Sequence, residues 1–197
     1  MHSAQILLAS VNFADIEKMQ SNGDWDAAAQ ALTYKAMQLK KAGAESIVIA
    51  TNTMHKVAPQ IEEAVKLPLL HIVDAVAEHL KQNNRIKVGL LGTRFTMQQP
   101  FYKKRLEQNN IQVLVPSEDD AVTVDSIIFN ELCHGQFTDK ARDHYLRIID
   151  SLADQGAQGV ILGCTEIGLL IQQEHSALPL FDTTELHCRA IADWMLK

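Results

Sequence analysis

The sequence predicts an α/β protein made of two pseudo-symmetric halves, each a mainly parallel sheet flanked by helices, with a site between them. Two observations carry this. Short, continuously apolar, β-branched runs alternate with longer stretches of helical period, as expected of strands covered on both faces and joined by helical crossovers. In addition, three phrases recur in the same order in both halves of the 197 residues.

The expected strands are "AQILLAS" (4–10), "SIVIAT" (46–51), "LPLLHI" (67–72), "IKVGLLG" (86–92), "IQVLVP" (111–116), "GVILGC" (159–164) and "LPLF" (178–181). Most are continuously apolar instead of alternating, which suits strands of a parallel sheet covered on both faces. Between them Trp25, Ala28, Ala29, Leu32, Ala36 and Leu39 recur at helical spacing, as do Ala141, Tyr145, Ile148, Ile149 and Leu152. The polar "KQNNR" at 81–85 is the expected seam, dividing residues 1–84 from residues 85–197, with the C-terminal helix free to pack back on the first half.

The internal repeat is specific. Gly43-Ala44 pairs with Gly156-Ala157, and at the same offset Ile47-Val48-Ile49-Ala50 pairs with Val160-Ile161-Leu162-Gly163, so Thr51 falls on Cys164. "LPLLHIVD" pairs with "LPLFD", and "AQILLAS" with "IQVLVPS". The second half carries one extra unit, "IKVGLLGT" with the helical stretch around "FTMQQPFYKKRLEQNN". By its own symmetry the first half is expected to lack a leading strand–loop–helix of roughly thirty residues, the usual size of such a unit.

Composition narrows the function classes. A net charge of −6 with scattered acidic residues lacks the basic footprint of a nucleic-acid binder. No run reaches the length of a membrane span, and the start lacks a signal-peptide pattern. The three cysteines show no CxxC spacing, which reads as free thiols in a cytoplasmic protein. No HExxH or paired-ligand spacing suggests a metal, and neither GxGxxG nor GxxxxGK[ST] is present, so no metal or nucleotide cofactor is expected.

Functional groups in an open parallel sheet gather beyond the carboxyl ends of the strands, facing helix N-termini. Cys164 and Thr51 both fall there. Free N–H groups at such a terminus suit a carboxylate and are expected to lower a cysteine pKa, making a thiolate available. If the halves face one another, residues 51 and 164 approach one small molecule from opposite sides. Removing a proton from one face of a carbon and returning one to the other requires that arrangement, and that reaction is racemisation.

"GCTEIGLL" with "TNTMHK", "LLGTRFTM" and the closing "FDTTELHCRAIADWML" resembles the aspartate/glutamate racemase family, across essentially the whole chain. The resemblance implies a cofactor-independent, pyridoxal-phosphate-free enzyme with a site between two α/β domains, commonly dimeric, that uses one cysteine per half on opposite faces of an amino-acid Cα. Cys164 matches the second cysteine, and Thr51 stands at the first, a departure found in a subgroup with broader or L-directed substrates. Asn52, Thr53 and Thr165 match positions that hold the substrate's amino and carboxylate groups, and Thr93 and Thr96 resemble carboxylate-binding positions. Hydantoin racemase and maleate isomerase chemistry on the same scaffold is the related alternative. A non-catalytic remnant that binds a small carboxylate, or a dimeric scaffold, is the rival from another class.

Each residue has a structural reading beside the functional one. Cys164 is either catalytic or a buried structural thiol. Thr51, Asn52 and Thr53 also suit a helix cap, and capping accounts equally well for Thr93 and Thr96. Asp182 with Glu185 has capping-box spacing. Glu166 suits the dipole of the helix after Cys164 and is placed to tune the thiol. His187 lines the site or is structural, and Cys133 and Cys188 are expected in the core.

Overall fold

The computed structural model describes residues 3–196. In chain order these form α1 (Phe13–Ser21), α2 (Trp25–Lys41), β1 (Ile47–Val48), a 3₁₀ turn (Thr53–Val57), α3 (Ala58–Val65), β2 (Leu69–Leu70), α4 (Ile72–Gln82), β3 (Lys87–Gly92), α5 (Arg94–Gln98) and α6 (Pro100–Glu107). They continue with β4 (Gln112–Leu114), α7 (Glu118–Asn130), a second 3₁₀ turn (Leu132–His134), α8 (Asp139–Asp154), β5 (Val160–Gly163), α9 (Ile167–Leu170), a third 3₁₀ turn (Gln173–His175), β6 (Leu180–Asp182) and α10 (Thr183–Met195). β1 pairs with β2 in a small parallel sheet, and β4-β3-β5-β6 form a larger one, also parallel throughout. The α/β architecture of helix-flanked parallel sheets is the expected one.

The repeated Gly-Ala pairs mark equivalent joints. Helix α2 opens with the Asp24 side chain accepting from the Ala27 N–H (3.1 Å), and α8 with Thr138 accepting from the Ala141 N–H (3.1 Å). Each helix ends at a left-handed glycine, Gly43 with φ 99° and Gly156 with φ 88°. The following alanine N–H then reaches back to the last turn, Ala44 to the Leu39 carbonyl and Ala157 to the Leu152 carbonyl, both at 3.0 Å. A Cβ is costly in that conformation, and the back-bond absorbs an orphan helix carbonyl, so both halves use the same residues to turn into a strand.

Apolar residues on both faces of the larger sheet are buried. Leu91, Val160 and Leu162 pack with Val124, Ile128, Tyr145 and Ile149 of α7 and α8. Leu90, Ile161 and Phe181 pack on the other face with Val73, Val76 and Leu80 of α4 and with Tyr102 and Leu106 of α6. A third core joins Ile47 and Ile49 to Ala28 and Ala29 of α2 and to Ile61 and Val65 of α3. Helix α4 follows the small sheet in the chain, yet it buries its apolar face in the larger sheet's core.

Three expectations need correction. Residues 4–10 form no strand, and Ile6 and Leu8 are 76% and 86% exposed. Their repeat counterpart β4 is held by hydrogen bonds to β3, and the described residues of the first half contain no strand equivalent to β3. Cys188 is exposed, because α10 turns Thr183 and His187 inward and Cys188, one residue on, faces away. Cys133 is exposed as well: in the 3₁₀ turn Leu132–His134 it is Leu132 that is buried. The segment between residues 12 and 24, unassigned by periodicity, forms α1.

Candidate active site

The C-terminal ends of β1, β3 and β5 converge on a cavity of about 290 Å³. Gly163 lies at its floor, with Gly92 as its register partner where β3 and β5 end. A Cβ on Gly163 would lie 2.8 Å from the Leu91 carbonyl oxygen, and one on Gly92 would lie 2.9 Å from the Gly163 carbonyl oxygen. Only glycine lets the two strand ends approach this closely.

Thr51, Asn52, Thr53, Thr93, Cys164 and Thr165 all line this one cavity. Thr51, Asn52 and Thr53 come from the segment after β1, and Cys164 and Thr165 from the segment after β5. Thr96, fully buried, stands behind them: its hydroxyl lies 3.4 Å from that of Thr53 and 3.3 Å from that of Thr93, and Thr53 and Thr93 are 3.1 Å apart. Thr93 also caps α5 by accepting from the Thr96 N–H. Thr93 thus caps a helix and lines the cavity at once.

The hydrogen bonds around Asn52 settle its orientation. Thr183 donates its hydroxyl to the Leu162 carbonyl (2.9 Å), so the same oxygen accepts from Asn52 Nδ2 (2.9 Å). That leaves Asn52 Oδ1 buried with no partner among the described residues. An orphaned buried acceptor is expensive unless a bound donor satisfies it.

The environment of Cys164 reverses the expected shift. Its thiol donates to Glu166 Oε2 (3.0 Å), and the Thr165 hydroxyl donates to the same oxygen (2.7 Å). Burial first, and then the Glu166 carboxylate, push the Cys164 thiol well above its usual pKa. The four-residue α9 does not offset these effects, so Cys164 rests as a thiol and not as the thiolate expected at a helix N-terminus.

One imidazole holds the loop that carries Thr51, and two more pack beside it. The Ile72 N–H donates to His55 Nε2 (3.1 Å), which places the ring proton on Nδ1, from where it is donated to the Thr51 carbonyl (2.7 Å). The His71 and His187 rings lie 4.3 and 5.9 Å from that of His55. His187 Nε2 donates to the Leu70 carbonyl (2.7 Å), a structural role that ties α10 to β2. Sequence reasoning missed His55, although its i+4 spacing from Thr51 suits such a back-contact. It also missed the cavity walls: Phe13 and Gln20 of α1, and Ile128 and Phe129 of α7 with Cys133. Among the described residues no three His, Cys, Asp or Glu side chains converge as metal ligands, and no helix is long and apolar enough to cross a membrane.

A strand-end cavity between two parallel sheets, lined by threonine hydroxyls, two amides, two thiols and one carboxylate, defines the class as an α/β protein with a small polar pocket at its strand ends. The chain belongs to the Asp/Glu/hydantoin racemase family, whose model matches residues 1–191. It is 52% identical to a protein of known structure described as a putative Asp/Glu racemase from Yersinia pestis, with a TM-score of 0.93 over 100% of this chain and 86% of that one. An aspartate racemase homologue from Pyrococcus horikoshii is 35% identical, with a TM-score of 0.84 over 97% and 83% of the two chains. A broad specificity amino-acid racemase from Bacillus subtilis is 26% identical over 162 residues, 82% of this chain and 69% of that protein.

Proposed function

We propose that this chain is a cofactor-independent racemase that inverts the α-carbon of an amino acid, with Cys164 as the proton-transfer thiol and Thr51 at the partner position. The observation that carries the proposal is one cavity lined by Thr51 from the first sheet and Cys164 from the second. In this reading Asn52 Oδ1 accepts from the substrate ammonium. The hydroxyls of Thr53 and Thr93, backed by Thr96, receive the α-carboxylate, while Thr165, whose own proton goes to Glu166 Oε2, offers its oxygen to the ammonium. Such fixed donors offset the charge that grows next to the carboxylate as the α-proton leaves.

The two directions of catalysis are unequal. A threonine hydroxyl does not ionise near neutral pH, so Thr51 acts by positioning a water or by passing on a proton that it regains from solvent. Cys164, held as a thiol, is poised to donate to the carbanion on its own face, and it must first lose its proton to act as the base. Glu166 Oε2, already accepting from the thiol, is the group in place to receive that proton.

The test is α-proton exchange in D₂O over a panel of L- and D-amino acids. Cys164→Ala is expected to lower exchange by about 10²–10⁴-fold, the usual worth of a positioned acid or base. Undiminished exchange in that variant removes the thiol from the reaction. The second reading, a small-carboxylate-binding remnant, draws on the raised thiol pKa, which opposes base chemistry. Amino-acid binding without exchange of any substrate selects it. The homodimer and cytoplasmic setting implied by the family belong to the same proposal, and sedimentation tests the dimer.

A further inference from the structure

We infer that the substrate is an α-amino acid with an uncharged or cationic side chain, and that the cavity rejects aspartate and glutamate. This rests on the racemase reading above and concerns what fills the cavity beyond the groups around Cα.

The charge of the cavity is one-sided. Among the described residues that line it there is no lysine, arginine or histidine, and Glu166 is its one ionisable carboxylate. That carboxylate is turned into the site by two donors on a single oxygen, the Thr165 hydroxyl at 2.7 Å and the Cys164 thiol at 3.0 Å. The cations of neighbouring elements are engaged elsewhere. Lys56 sits 3.7 Å above the Trp25 ring, Arg94 lies over Phe95, and Arg142 pairs with Asp139 at 2.5 Å.

Of the rest of the wall, Phe13, Ala50, Ile128 and Phe129 are apolar, Cys133 adds a thiol, and Gln20 turns its amide nitrogen away to donate to Met54 Sδ (2.9 Å). The neutral hydroxyl donors suffice for one carboxylate. A second carboxylate, on the side chain of an acidic amino acid, meets either the apolar part of this wall or Glu166. Burying a carboxylate without a cation or converging donors is heavily disfavoured. Two like charges about 6 Å apart at an effective dielectric of about 20 disfavour binding by roughly a hundredfold. The field of Glu166 also acts within the site, since it adds to burial in holding the Cys164 thiol protonated. A methionine-, leucine- or lysine-like side chain meets none of these penalties, and a cationic one gains from the carboxylate.

Calorimetric titration with both enantiomers of methionine, leucine, lysine, aspartate and glutamate tests this on the unmodified protein, with D₂O exchange run in parallel. The neutral and basic amino acids are expected to bind at least tenfold more tightly than the two acidic ones. In Glu166→Gln that ratio is expected to fall by at least tenfold. Aspartate or glutamate binding as tightly as the others, or a ratio unmoved in Glu166→Gln, overturns the inference. Selective binding without exchange leaves the selectivity standing and removes the racemase reading. Binding of no amino acid overturns both.

Discussion

Acid should destabilise this protein through the histidines clustered under the Thr51 loop. His55 and His71 are 2% and 7% exposed. Burial, followed for His71 by the neighbouring His55, drives their pKa values from 6.5 down to about 3 and about 2. A neutral imidazole locked in the fold is protonated only after unfolding once the pH drops below 6.5, so the unfolded chain binds more protons and stability falls as pH falls. Both folded values lie below pH 5, so between pH 7 and pH 5 the loss is set by the unfolded imidazoles alone. It amounts to about 2 kcal/mol for each ring, or about 4 kcal/mol for the pair. His187, also lowered by burial, adds to the effect in the same direction. Asp120, held below the usual carboxylate range first by its Arg147 hydrogen bond, titrates outside this window. Urea unfolding at half-unit pH steps measures the slope. A free energy of unfolding at pH 5 within about 1 kcal/mol of the value at pH 7 would refute the neutral, buried histidine cluster.

Further substitutions separate roles that look alike in the sequence. Tyr145 and Tyr102 are both fully buried, but Tyr145 donates to the Val124 carbonyl (3.1 Å) whereas the Tyr102 hydroxyl has no partner among the described residues. Tyr145→Phe should therefore cost about 1–2 kcal/mol, and Tyr102→Phe should be neutral or stabilising, both read by urea denaturation. Gly163→Ala should cost about 1–3 kcal/mol, because its Cβ presses on the Leu91 carbonyl, and it should also depress exchange by spreading the strand ends at the cavity floor. Thr183→Val removes the acceptor of Asn52 Nδ2 and the donor to the Leu162 carbonyl. It should cost about 1–3 kcal/mol and weaken amino-acid binding, as measured by calorimetry.

The larger sheet was legible in the sequence because its strands are buried on both faces and so read as unbroken apolar runs. The Gly-Ala joints were legible because left-handed backbone leaves few residue choices. Residues 4–10 misled for the same reason in reverse: an apolar run states what a strand would bury, not whether a neighbour is present to pair with it. Cys164 and Thr51 could be placed together from the repeat, since equivalent strands end at equivalent points. The protonation of Cys164 could not, because the sequence shows Glu166 two residues away without showing that its carboxylate turns back onto the sulfur. Phe13, Ile128 and Phe129 reach the cavity from helices distant in the chain, and no local spacing announces such contacts.

The path of α4 has a mechanical consequence. It leaves the small sheet and spends its apolar face on the large one, while Asn52 bonded to Thr183 and Leu70 bonded to His187 fasten the same sheet to the last helix. Melting of the small sheet thus removes part of the wall that shelters the large one. The molecule should come apart in a single cooperative step, and any breathing motion that opens the cavity must be shared by both sheets.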